Sequence, residues 1–512
     1  MENSSTQLSQ KSEADPNSVF RLSIDLVLHV MQFLDPLDIL SMRKTCRMFH
    51  RTTKARIVWL VALQRICETH GIFKPTFPTN RMSLLELEHA ALSPHRFVKS
   101  IKAAENINPA HPHQNRSIPR RGRADPNSNE IRRELFLIPG GRFLLSSEGR
   151  SGVCLWDLGY NARIPINPFP IATLDLPGSS LKSVVPSEGG KELLLAVTSR
   201  LDNVTVLRIY RVDPEVPGKG FSMEGQLEID ANLATVGSFL CCDAIYLVHE
   251  SHFIVWNWIE NTGCKWESHI VPLDLPEIYG CKQSIIAYDR DDGIGVWDIP
   301  ILVSVTKPNL GGFHVVENSQ KYSFMPLLVD GTADILFSGT SAWQQELTST
   351  LHLLRLVDHE TADEDYNLTV YSLRDTEKVN DPFLPRLLPV LGGHSKYIHG
   401  DGHPALSRGA VSSLFTCDSH LFFCTGSETD FNGSDLEIVA VVLPIPSQFS
   451  KDSIDVYPMT LMPSGVDEWI SSDQIGFCPM SGRLVYLLSG GEELRLADYL
   501  LPPGELSHQE NS

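Results

Sequence analysis

The chain has 512 residues, a formal net charge of −19, 42% hydrophobic and 21% charged residues, the profile of an ordinary globular protein with room for about two to four domains. An acidic excess of that size excludes a sequence-independent grip on nucleic-acid phosphates, which needs a basic face. No apolar run approaches the ~18 residues that span a bilayer, the polar start MENSSTQLSQKSEADPNSVF lacks the basic end and apolar core of a signal peptide, and the ten cysteines are scattered without a C-x-x-C pair; an intracellular, soluble chain with reduced thiols and no membrane contact is expected.

Residues 1–17 are Ser, Gln, Asn and Glu with almost nothing to bury, and are expected to be disordered. The stretch RLSIDLVLHVMQFLDPLDILSMRKTC, Arg21 to Cys46, is different. Between Leu22 and Leu34 only Ser23, Asp25, His29 and Gln32 are polar, and at about 100° per residue the last three share one narrow stripe. The predicted helix is apolar around most of its girth. Such a helix is buried on several sides, yet a helical piece of roughly 40 residues rarely closes a core alone, so something else must cover it. A second helix starts at DPLD, with Asp35 as cap, Pro36 in the first turn and Asp38 three residues past the cap. A third is expected over Thr45 to Thr53, IVWLVALQRICETHG continues helically to a Gly stop, and MSLLELEHAALSPHRFVKSIKAAENI adds one or two more, broken at Pro94. The helical connector is placed at 61–106. Residues 107–130, rich in Pro, Asn, His and Arg, read as a flexible linker, and over Ile107 to Arg133 the residues Arg116, Arg120, Arg121, Arg123, Arg132 and Arg133 form a basic island.

From about Glu134 the sequence turns into short β runs separated by turn residues, and the runs repeat. GGRFLLSSEGRSGVCLWDL ends at Trp156-Asp157 and QSIIAYDRDDGIGVWDIP at Trp297-Asp298. LLLAVTSRLDNVTVLRIYRV, IYLVHESHFIVWNWIE, DILFSGTSAWQQELTSTLHLLRLV, HLFFCTGSETDFNGSDLEIVAVVL and RLVYLLSGGEELRLADYL follow the same strand, turn, strand grammar. Seven such units appear over 131–503, and 504–512 form a polar tail. Asp289, Asp291 and Asp292 before Gly293 read as a hairpin turn, because the rest of a calcium loop is missing. His394, His399 and His403 read as loop residues, as do His111 and His113, and His249 and His252 do not make a zinc motif. No metal, no cofactor and no catalytic residue is nominated. A phosphate pocket drawn from Arg200, Arg208, Arg290, Arg355 or Arg495 requires several of them to meet in space.

The strand, turn, strand, Trp-Asp pattern resembles WD-type β-propeller repeats, most closely in VCLWDL and IGVWDI, and LGGHS at Leu391 to Ser395 is similar to the Gly-His that opens such a repeat. The opening stretch, continued through CRMFHRTTKARIVW, resembles the F-box, the three-helix module by which substrate receptors dock on the Skp-type adaptor of cullin-RING ubiquitin ligases. Leu22 stands where that family has the Leu of Leu-Pro, with Ser23 in place of Pro; Asp25 replaces a usual Glu, and Leu26 and Val30 follow. Phe33-Leu34-Asp35-Pro36 and Asp38-Ile39-Leu40 match the second-helix signature, Cys46-Arg47 and Phe49 resemble the third helix, and Trp59 the closing Trp.

The resemblances together imply a mainly β protein with an all-α N-terminal part: a three-helix F-box at 18–60, the connector, and a WD-like propeller of seven blades, with six to eight open. They imply a non-enzymatic substrate receptor of an Skp-cullin-F-box ubiquitin ligase, cytoplasmic or nuclear, bound to the adaptor and through it a cullin. Its protein target, held by the propeller, is undefined. The adaptor contacts implied are Leu22, Ile24, Leu26, Val30, Leu34, Pro36 and Leu40. Burying about 600 Å² of apolar area there contributes on the order of 15 kcal/mol before ordering and association costs. An F-box interaction protein working outside ubiquitylation stays open, and so does a propeller hydrolase, for which no converging acid-base groups are found.

Overall fold

In a computed structural model of the chain the described residues are 23–103, 111–119, 133–148, 152–201, 204–216, 218–230, 237–241, 243–249, 251–267, 277–281, 284–289, 293–307, 309–317, 322–324, 333–337, 343, 351–358, 366–375, 387–397, 415–418, 420–428, 436–444, 457–462, 474–487 and 493–503. The chain divides into two compact units, Met1–Gln64 and Arg65–Ser512. Leu22, the 1–17 segment and the 504–512 tail lie outside the described residues.

The first unit is helical: α1 (Ile24–Met31), α2 (Pro36–Arg43), α3 (Arg47–Thr52) and α4 (Arg56–Thr69), the last running on into the second unit. Ser23 caps α1, its backbone extended and its hydroxyl accepting the Leu26 N–H at 3.3 Å, so this serine satisfies one of the N–H groups a helix start leaves open. Asp35 and Pro36 open α2 as N-cap and first residue. The third helix is shorter than expected, because the Thr45 hydroxyl and N–H both bond the Met42 carbonyl and close α2 instead.

In the second unit, α5 (Leu84–Ala103) opens with a reciprocal capping box: the Ser83 N–H donates to Glu86 Oε2 at 2.7 Å and the Glu86 N–H to Ser83 Oγ at 3.3 Å. The break expected at Pro94 does not occur; the helix runs through it. A Pro in a helix interior costs about 3 kcal/mol, but Leu87, Ala90, Ala91, Leu92, Pro94, Phe97, Val98 and Ile101 are all buried, and that face outweighs one lost backbone bond. The connector is therefore no spacer in this part: Phe97, Val98 and Ile101 share one apolar cluster with strand residues as distant as Phe477 and Leu484. Residues 72–77 are tied in as well. The Phe73 N–H donates to the Pro139 carbonyl at 3.1 Å, and Gly140, at φ +103°, lies so close that an added Cβ would sit 2.6 Å from Thr76.

His89 on α5 is buried, and burial first, then the Arg96 guanidinium 3.0 Å from its Nδ1 and the charge of Arg163, lower its pKa to about 4 against the opposing pull of Glu86. The folded value lies below that of a free histidine, about 6.5. The neutral ring's contribution is thus complete above that pH and is lost as the pH falls through the window toward 4. Equilibrium unfolding should show a loss on the order of 3 kcal/mol across the window, smaller by that amount in His89→Gln.

The strands follow in order: β1 (Gln114–Pro119); β2 (Arg133–Leu137), β3 (Phe143–Glu148), β4 (Gly152–Asp157), β5 (Ala172–Leu174); β6 (Ser179–Pro186), β7 (Leu193–Leu201), β8 (Val204–Val212), β9 (Phe221–Asp230); β10 (Gly237–Cys241), β11 (Ala244–His249), β12 (His252–Asn257), β13 (Thr262–Glu267). Next come β14 (Glu277–Cys281), β15 (Ser284–Asp289), β16 (Gly293–Asp298), β17 (Val303–Ser304), β18 (Tyr322–Phe324); β19 (Ala333–Phe337), β20 (Leu351–Asp358), β21 (Tyr366–Asp375), β22 (Leu387–Tyr397); β23 (Phe415–Cys417), β24 (His420–Glu428), β25 (Leu436–Pro444), β26 (Tyr457–Met462); and β27 (Ile475–Cys478), β28 (Arg483–Leu487), β29 (Glu493–Asp498). Among the described residues they form seven antiparallel sheets. Six have four strands, and β17 returns from the fourth to extend the third to five. First strands of neighbouring sheets lie side by side: β27 by β2, β2 by β6, β6 by β10, β10 by β14 and β14 by β19.

Each of the seven repeated units falls in a different sheet. Six supply its second and third strands, whereas Asp334 to Val357 supplies the first and second, β19 and β20. Register explains the weak repeat. Trp156 faces Leu144 and Trp297 faces Ile285, each Trp being the fifth residue of a six-residue third strand. Trp256-Asn257, facing Ile245 and Ala244, and Ala497-Asp498, facing Leu484 and Arg483, hold the same positions without the Trp-Asp pair. Leu391 to Ser395 lies inside β22.

The linker expected over 107–130 is in part a strand. The last sheet has only three strands from the C-terminal end, and β1 pairs antiparallel with β29 to supply the fourth, covering backbone groups that an open edge would leave unpaired. Arg116 leaves the basic island to do so. Its Nε lies 2.9 Å and its guanidinium 2.6 Å from Asp498 Oδ2, while Arg483 Nε reaches Asp498 Oδ1 at 2.7 Å.

Candidate docking face

The first unit sorts its apolar side chains by helix face. On α1 only Val27 and Met31, four residues apart, are buried. Leu26 and Val30 point elsewhere, 45% and 44% exposed, and Phe33, in the turn that follows α1, is 69% exposed. Ile24 is 62% exposed at the helix start and Leu37 on α2 is 38% exposed. Asp25 and His29 hold a third, polar face, the His29 ring meeting Phe33 edge-on at 5.2 Å. The helix that reads as apolar nearly all round is thus buried along one side and leaves a second apolar side open.

The buried side is supported by α3, which touches both α1 and α2. Ile39, Val58 and Trp59 are fully buried, and the Trp59 indole N–H donates to the Thr53 carbonyl at 2.8 Å. Buried aromatic N–H groups need such a partner. Trp59, the family's closing Trp by resemblance, therefore belongs to the module's own core.

Of the residues expected at the adaptor contact, Ile24, Leu26 and Val30 lie exposed, Leu34, Pro36 and Leu40 are half-buried, and Leu22 lies outside the described residues. Phe33 and Leu37, also exposed, were not among them: Phe33 stands in the quoted signature without being singled out, and Leu37, between a Pro and an Asp, carries no periodic signal.

Arg208 bonds Ser199 Oγ at 2.5 Å and Gln226 Oε1 at 3.2 Å within its own sheet, Arg200 and Arg495 lie on β7 and β29, Arg355 on β20, and Arg290 is outside the described residues. His249 faces His252 across a hairpin, His394 lies in β22, Asp289 ends β15, and Asp291, Asp292, His399 and His403 are outside the described residues. Among the described residues, no group of three His, Cys, Asp or Glu side chains is arranged to hold a metal, and no helix is long and apolar enough to cross a membrane.

The family model of the F-box domain matches residues 19–60. The chain carries an F-box domain, and the exposed Leu26, Val30 and Phe33 lie within it. No curated protein matches the chain. Among solved structures it is similar to the computationally designed Ika8 protein, at 12% identity and a TM-score of 0.29, over 70% of this chain and 80% of that one; a likeness at that score carries no argument.

Proposed function

We propose that this F-box protein is the substrate-recognition subunit of an Skp-cullin-F-box ubiquitin ligase. The observation that carries the reading is the group of Leu26, Val30 and Phe33, large aliphatic and aromatic side chains left in water inside a matched F-box domain. F-box domains generally bind Skp-type adaptors, and an adaptor helix surface would bury this group together with Ile24 and Leu37. Apolar side chains at i and i+4, as Leu26 and Val30 stand on α1, are usual anchors of helix-in-groove recognition.

The seven sheets are read as the blades of a WD-like β-propeller that holds the protein target. Support comes from the side-by-side first strands and from β1, which joins an early segment of the chain to its last sheet; radial repetition of this kind leaves only short, protected edges. In this reading the protein breaks and makes no bonds. It raises the local concentration of target lysines near a charged ubiquitin-conjugating enzyme carried elsewhere on the complex, in the cytoplasm or nucleus.

The test is affinity purification of the full chain from cells. Adaptor and cullin recovered together, with ubiquitin chains formed when conjugating enzymes are added, support the ligase. Adaptor without cullin moves the protein to an F-box role outside ubiquitylation, and recovery of neither removes the reading.

A further inference from the structure

We infer that Arg43 is a positioning residue for adaptor docking, aiming α2 without touching the adaptor. The inference rests on the docking reading above. Helix α2 is poorly anchored by apolar contact, since Ile39 is its only buried residue. Its last residue, Arg43, supplies a second anchor. Arg43 Nε donates to Thr53 Oγ1 at 3.1 Å and Nη2 to the Thr53 carbonyl at 3.3 Å, while its guanidinium carbon stands 5.3 Å from the centre of the Trp59 ring.

Thr53 is the C-cap of α3 and is fully buried, and its carbonyl also accepts the Trp59 indole N–H. One side chain therefore ties the end of α2 to the end of α3 and to α4. A planar fork can hold two bonds and lie over a ring at once, which an ammonium cannot do. Without that tie α2 would be held by Ile39 and by the half-buried Pro36, Leu40 and Met42, and Leu37 would lose its fixed place in the docking face. Leu26 and Val30 are carried by α1, which is seated through Val27 and Met31, and are expected to keep theirs.

The experiment measures affinity of the full chain for purified recombinant Skp-type adaptor by calorimetry. Arg43→Gln is expected to bind roughly tenfold more weakly, with Arg43→Lys in between, as the loss of charge-assisted hydrogen bonds implies. A merely structural role would scale every contact alike, so the discriminating readout is a double-mutant cycle. Leu37→Ala should weaken binding severalfold in the native background and almost not at all beside Arg43→Gln, whereas Leu26→Ala should cost the same in both. Additive losses at both positions overturn the inference. Thr53→Val, which removes one of the two bonds and keeps the carbonyl, repeats the cycle if Arg43→Gln does not fold. Failure of the native chain to bind the adaptor removes the docking reading itself, and the role of Arg43 with it.

Discussion

Changing Leu26 and Val30 together to Asp is expected to lower adaptor affinity by at least about a thousandfold while leaving the thermal unfolding of the protein unaltered. The two side chains are roughly half exposed and lie four residues apart on α1, so a carboxylate at either position meets water in the free protein and costs the fold little. In the proposed complex both positions would be covered. A buried charge without a partner costs about 3–5 kcal/mol, and each 1.4 kcal/mol is about a factor of ten in affinity, so one fully covered carboxylate costs between about a hundredfold and a few thousandfold, and two together reach the predicted loss. The matching control lies along the same helix: Val27→Asp or Met31→Asp places the charge on the buried side and is expected to unfold the helical module. Binding by Leu26→Asp, Val30→Asp within a factor of three of the native chain would show that the adaptor, if it binds, uses another surface.

Replacing Asp498 by Asn should destabilise the second unit by about 3–5 kcal/mol, a large share of the 5–15 kcal/mol that typically separates folded from unfolded protein. Asp498 and Arg483 are each only 2% exposed, and the carboxylate meets two guanidinium groups, Arg116 through Oδ2 and Arg483 through Oδ1. Both arginines also hold carbonyls of the first sheet's connections: Arg116 those of Leu158 and Ile164 at 3.2 and 3.0 Å, and Arg483 those of Gly141 and Gly159, the second at 2.9 Å. Burial, and next the like charge of Arg483, push the Arg116 pKa down, and Asp498 opposes them. An amide removes the compensating charge and turns one acceptor into a donor facing a cation. The readouts are a melting temperature lower by several degrees and faster hydrogen exchange at Gln114–Pro119, the strand that Arg116 fastens. An unaltered melting temperature would mean that backbone pairing of β1 with β29 suffices without the ion pairs.

The sequence by itself determined everything that a local pattern encodes. The helix start at Asp35, the F-box signature from Phe33 to Leu40 and the alternation of short strands were legible because capping, periodicity and turn chemistry act between residues a few positions apart. Only the tertiary structure decided which apolar residues of α1 the module keeps for itself, since Val27 and Leu26 read alike until α3 is placed beside one of them. Distance along the chain hid the rest. Pro94 stays helical because residues nearly 400 positions later bury its helix, and Arg116 is no linker cation because Asp498 waits at the other end of the chain. Those outcomes follow from contacts between remote segments, which no window of neighbouring residues contains.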